Sequence, residues 1–308
     1  MKHAAGWAIG LGVVGLASLL VWRYQGGDNE KISKMVDARL AEASREVESS
    51  IDGQFQTINS YFDVAKSKTP QFAEEALGWG SKWRLLVDYV PFTSGGKNEA
   101  FLKAKFEALV LQPAELEKAI ETTIQGFFSQ IEAVERTLIV NLQRDMGKLA
   151  SGDLAGINTQ NISEEAFQKA LQKVLATAGG ATKVAVTKEL VTLIAGEIVT
   201  AVAKKMVVSG VVLAAGGAGG AFTAGISVVI GIVVDQLISW VWDWYADPQG
   251  KLTGMINGHL DEMRDLMIKG TDEGEKKVVG LRVRLLEFSR SRAQLRESAI
   301  QEMFQGVK

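Results

Sequence analysis

Residues 206–234, MVVSGVVLAAGGAGGAFTAGISVVIGIVV, run for 29 positions without a charged side chain. Only two environments suit such a segment, the hydrocarbon of a bilayer or the centre of a helical bundle. Exposure to water costs roughly 0.8 kcal/mol for each methylene. As one straight helix the run would be about 43 Å long at ~1.5 Å per residue, beyond the ~30 Å of a bilayer core unless tilted. The cluster Gly216-Gly217-Ala218-Gly219-Gly220 favours a turn or a very close helix contact, since each glycine costs about 1 kcal/mol relative to alanine inside an exposed helix. A fold-back there leaves two arms, 206–215 and 221–234, each too short to cross alone. The flanking turns 191–205 and 236–245 would then complete the crossing or line an aqueous lumen. The other possibility is a central hairpin of a large bundle that never meets lipid.

Within this run Gly216, Gly220 and Ala224, and likewise Gly217, Ala221 and Gly225, form small-x-x-x-small ladders through which helices can approach closely in lipid. Together with Gly210, Gly219 and Gly231 these glycines are the candidate insertion and packing positions. The sequence that follows, DQLISWVWDWYADP, concentrates Trp240, Trp242, Trp244 and Tyr245 beside Asp235, Asp243 and Asp247. Aromatic rings with a polar edge belong at headgroup depth, so these four are candidate interfacial anchors.

The amino terminus carries a second apolar run, 19 uncharged residues at 4–22, which is about the minimum for a bilayer crossing. It ends in Leu19, Leu20, Val21 and Trp22 rather than in a small-x-small cleavage site, so an uncleaved anchor is expected there. Trp7, Trp22 and Tyr24 are its interfacial residues. The side of the membrane stays open, because Lys2 competes with Arg23, Lys31 and Lys34.

Elsewhere the chain reads as helix. Apolar residues recur from Ile32 through Val36, Leu40, Ala43, Val47, Ile51, Phe55 and Ile58 to Phe62, at steps of three and four that predict one long amphipathic helix. Pro70 is expected to open the next segment. A second long helix is predicted from Pro113 to Leu149, ended by Ser151-Gly152-Asp153. NISEEAFQKALQKVLATAGG follows as a capped helix, with Asn161 and Ser163 both eligible caps. Asp247 can cap a helix with Pro248 in its first position, and Leu252, Met255, Ile256, Leu260, Met263 and Met267 share one face of it. A last helix is expected from about Glu273 to Phe304. All four prolines are placed at element boundaries.

These patterns exclude much chemistry. The 34 basic and 36 acidic side chains are interspersed and sum to −2, so no basic field gathers nucleic acid. With no cysteine there is neither disulfide nor thiolate, and the two histidines supply almost no general base. His259 and Glu262 can share a helix face but lack the second histidine motif of a helical metal site. Plentiful serines have no G-x-S-x-G elbow. SGGKNEA, at 94–100, fails the phosphate-loop spacing, and Phe222 stands where the run from Gly217 would need its last dinucleotide-loop glycine. No catalytic residue, cofactor, metal or small-molecule substrate is expected.

The hairpin pattern at 206–234, set among long amphipathic helices, resembles the α-helical pore-forming proteins, including the pore-forming colicins. The resemblance covers architecture over about residues 29–306 and implies a hairpin able to leave a bundle and enter a bilayer. The amino-terminal anchor departs from a diffusible toxin and favours a protein resident in its own membrane.

The expectation is therefore an all-α chain. It has an anchor at 1–25, a long-helix region at 26–180 forming an elongated bundle, a Gly-rich apolar hairpin region at 181–246 and a carboxy-terminal helical hairpin at 247–308. Its expected role is non-enzymatic: the hairpin inserts into a lipid bilayer and the chain assembles through helix packing, as a homo-oligomer or with a helical protein partner, with a pore as one outcome. The competing expectation is a membrane-tethered scaffold in which the hairpin is simply the core.

Overall fold

The computed structural model describes residues 27–78, 95–151, 162–177, 183–205, 221–240, 247–272 and 278–305, and these are overwhelmingly helical. The helices are α1 (Gly27–Ser50), α2 (Gln56–Gly78), α3 (Gly95–Leu109), α4 (Pro113–Ser151), α5 (Glu164–Thr177), α6 (Lys183–Lys205), α7 (Ala221–Trp240), α8 (Pro248–Ile268) and α9 (Leu281–Gln305). Two residues of β1 (Gly270–Thr271) pair antiparallel with β2 (Val278–Val279). The amino-terminal anchor with Trp7, Trp22 and Tyr24 lies outside the described residues. So do Gly210, Gly216, Gly217, Gly219, Gly220, Trp242, Trp244 and Tyr245. Among the described residues no helix is long and apolar enough to cross a membrane.

Three local expectations are corrected. The helix predicted through Ile32–Phe62 is interrupted by a 3-10 turn at Asp52–Phe55, although Ile51, Phe55, Ile58 and Phe62 continue the buried stripe across it. The sequence supplies the break: the Ser50 hydroxyl donates to the Val47 carbonyl, and Gly53 is a poor helix former. Pro70, read as a boundary, lies inside α2. Proline leaves the carbonyl four residues back without its helical donor, and here that carbonyl, of Lys66, accepts from the Thr69 hydroxyl at 2.8 Å. The preceding residue thus repairs the bond that proline removes. Finally, α9 begins at Leu281 rather than near Glu273, because the short β pair and two glycines occupy the approach.

Those glycines have no alternative. Gly270 holds φ +77°, and a Cβ on Gly280 would come within 2.4 Å of the Gly270 nitrogen and of the Lys269 carbonyl carbon. Backbone atoms cannot step aside as a flexible side chain can, so Gly280→Ala should destabilise by about 1–3 kcal/mol or more. Gly254→Ala in α8 meets nothing within 4 Å and should instead gain up to ~1 kcal/mol of helix propensity. Paired urea titrations read both; equal effects would contradict the geometry.

Other boundaries follow expectation. α4 starts at Pro113. Ser163 supplies a side-chain cap of α5, its hydroxyl accepting from the Ala166 amide at 3.1 Å, and Asn161 lies outside the described residues. Asp247 caps α8 by accepting from Gly250 N–H at 3.0 Å, with Pro248 in the first turn.

The chain divides into two compact units, each drawn from separate stretches: unit 1 from 1–52, 126–183 and 285–308, unit 2 from 53–125 and 184–284. Unit 1 buries Val36, Ala43 and Val47 of α1 with Phe127, Ile131, Val134, Leu138 and Leu142 of α4, Phe167 and Leu171 of α5, and Leu285 and Ile300 of α9. Phe288 packs its ring on Phe128 at 5.0 Å. In unit 2, α8 lies along α2 and α7 along α3. The Phe72 and Phe106 rings meet edge-on at 5.2 Å where α2 and α3 touch.

Candidate functional site

Most helices of this chain bury one stripe, as their apolar spacing requires. α7 differs. Phe222 and Ile226 are buried, and then all six residues from Val229 to Val234 are buried in succession, which covers every face of the helix for more than a turn. Such enclosure follows from composition: Asp235 is the only charged residue in AFTAGISVVIGIVVDQLISW. A helix apolar all round has no side to offer water, so it is buried, with α3 packed along it. The second arm of the predicted hairpin is therefore enclosed within unit 2 in this state.

Polar contacts hold α7 near both ends. The Thr223 hydroxyl donates to a Glu117 carboxylate oxygen of α4 at 3.3 Å. Toward the other end, Lys103 of α3 reaches Asp235, its Nζ 4.0 Å from Oδ1. Of the candidate packing glycines, Gly225 is half-buried and Gly231 is buried on α7. Among the described residues, the side chain that faces the open side of Gly231 is that of Lys103. A Cβ there would lie 3.1 Å from Lys103 Nζ and 3.2 Å from Cε, so the missing side chain makes the notch in which the lysine lies. The zipper pattern gave no hint of this, because the partner is a long cation from a segment far away in sequence. Trp240, the first of the four carboxy-terminal candidate anchors, ends α7.

Alongside α2, the start of α4 and the α3–α4 connection line a shallow groove of about 380 Å³ on unit 2, with Val64, Leu109 and Val110 among Lys68, Gln112, Glu115 and Lys118. Tyr61 at its edge donates to the Gln112 carbonyl at 3.0 Å, and burial pushes its phenol pKa upward. Among the described residues no group of three or more histidines and carboxylates could hold a metal.

Unit 1 contains a different feature that sequence reading missed. Glu135 of α4 is 1% exposed and accepts from Arg292 Nε and Nη2 of α9 at 2.8 and 2.9 Å. One helical turn on, Arg296 is equally buried and donates through Nη2 to Ser44 of α1 at 2.8 Å, while its Nε has no hydrogen-bond partner. Burial lowers the Arg296 pKa, Glu135 opposes this, and Arg292 adds to it. The arginines of α9 are visible in the sequence; the burial of Arg296 and the seating of Arg292 on Glu135 are not, since Glu135 occupies a core-facing position of a stripe read only from its apolar members.

At the next residue, the pKa of Glu297 is raised, first by burial and then by Asp37. A raised folded-state pKa means the charge opposes folding at neutral pH, and the penalty fades as pH falls through the folded-state value and is gone below the unfolded one. Glu297→Gln should therefore raise the urea midpoint at pH 7, with the gain closing near pH 4. A gain that persists unchanged into acid would contradict the assignment.

No family model matches this chain, and neither a curated protein nor a solved structure matches it.

Proposed function

We propose that this chain is a membrane-associated, non-enzymatic helical protein that yields its apolar 206–234 segment to a lipid bilayer and assembles there through helix packing, with a pore as one outcome. The observation that carries the reading is the apolarity of α7, enclosed on every face from Val229 to Val234 and bearing a single charge. Moving such a helix from a protein interior to hydrocarbon strips no polar face of its water. The same transfer of an amphipathic helix would strand its polar side in lipid. Residues 206–220 contribute the rest of the uncharged run, their glycines would allow close helix approach, and Trp240–Tyr245 would set depth. The described exposed large apolar residues, Val64, Phe101, Val140 and Val184, fall one to a helix, so insertion on this reading begins with release of α7.

The enclosure of α7 also favours a second reading, a membrane-tethered scaffold that binds a helical partner and keeps the hairpin as its permanent core. The absence of natural cysteine provides a direct test. Glu117→Cys with Thr223→Cys, bridged by a short reversible bis-thiosulfonate linker, would lock α7 to α4. On the insertion reading the full-length bridged chain leaves dye-loaded vesicles intact and releases dye once reductant cuts the bridge. Equal leakage in both states contradicts release of α7; no leakage in either state favours the scaffold.

A further inference from the structure

Asp235 is the only charge between Lys205 and Asp243, and Lys103 finds it by lying across the notch at Gly231, one turn earlier on the same face of α7. We propose that Lys103, seated in the Gly231 notch and reaching Asp235, is a clasp that holds α7 in its enclosed site and sets how readily the apolar segment is released. Three features support it. The end of the stem, Cε, lies against α7 at Gly231, as long cationic side chains commonly lie along a helix surface. The ammonium meets the one charge that α7 carries. And the lysine tip lies closer to Gly231 than a Cβ would leave comfortable, so the missing side chain lets it settle there by shape as well as by charge. Neighbouring Lys105 is directed elsewhere, to Glu75 of α2 at 2.7 Å. Lys103 and Lys105 of α3 thus hold different helices.

The clasp rests on the insertion reading for its purpose but not for its test. Lys103→Gln leaves the sequence of α7 untouched, so it alters the hold on the helix without altering the helix's own affinity for lipid. In the full-length protein, hydrogen exchange of α7 amides between Ile226 and Val234 should quicken about two- to fivefold, the scale of a part-exposed ion pair. Lys105→Gln should leave these amides unchanged, and Lys103→Arg should stay near the parent. Unchanged α7 exchange in Lys103→Gln, or an equal rise in Lys105→Gln, overturns the clasp. Dye release from vesicles of phosphatidylcholine with phosphatidylglycerol, measured on the same variants, should rise in step with α7 exchange. If exchange quickens in Lys103→Gln alone while neither it nor the parent releases dye, the clasp stands and the insertion reading falls.

Discussion

Replacing Glu135 with alanine should destabilise unit 1 by about 3–5 kcal/mol, because it leaves Arg292 and Arg296 in the interior without the carboxylate between them. Arg296 already has an unpaired Nε and a single neutral acceptor in Ser44, so it cannot make good the loss. The expected result is a urea midpoint shifted far down, with exchange quickened throughout α9. The converse variant is as informative. Glu135→Leu, Arg292→Met and Arg296→Met together remove every buried charge of the cluster and should cost little or even stabilise, since ion pairs in a protein interior seldom surpass well-packed apolar side chains. A small effect of Glu135→Ala would mean that water reaches these guanidiniums.

Ile230→Ala is the second large effect. Ile230 is 0% exposed at the centre of the fully enclosed stretch of α7, where neighbours on every side oppose collapse into the void. Truncation of a buried isoleucine there should cost about 2–5 kcal/mol, combining lost transfer energy with a cavity. Truncating exposed Val64 on α2 should change stability by less than about 0.5 kcal/mol. Denaturant titration checks both. A loss under ~1 kcal/mol for Ile230→Ala would mean that α7 is loosely held rather than enclosed.

Helix positions were largely legible because a 3.6-residue apolar period depends only on local spacing, and the long α4 emerged from that arithmetic with its Pro113 start. Where local rules failed, a specific contact had overruled them. Pro70 reads as a boundary until the Thr69 hydroxyl supplies the missing donor, and Asp52–Phe55 tightens a helix whose apolar stripe passes through unbroken. The β pair was invisible because two residues carry no periodicity. The apolar character of 206–234 was plain from composition, but its partners were not: Lys103, Glu117 and the Gly231 notch are brought together by folding across more than 100 residues of sequence. Glu135 shows the same limit, since a buried ion pair between distant helices leaves no mark on the pattern of either one.

The central claim is that α7, enclosed in unit 2, can exchange its protein surroundings for lipid. The most direct measurement places an environment-sensitive fluorophore on the half-buried Ser227→Cys of the otherwise cysteine-free chain and adds vesicles whose acyl chains carry a quencher. Strong quenching by the acyl-chain label, with protection from an aqueous quencher, is the predicted result. Emission that ignores both the vesicles and the label would show that α7 stays where it is folded and would contradict the account.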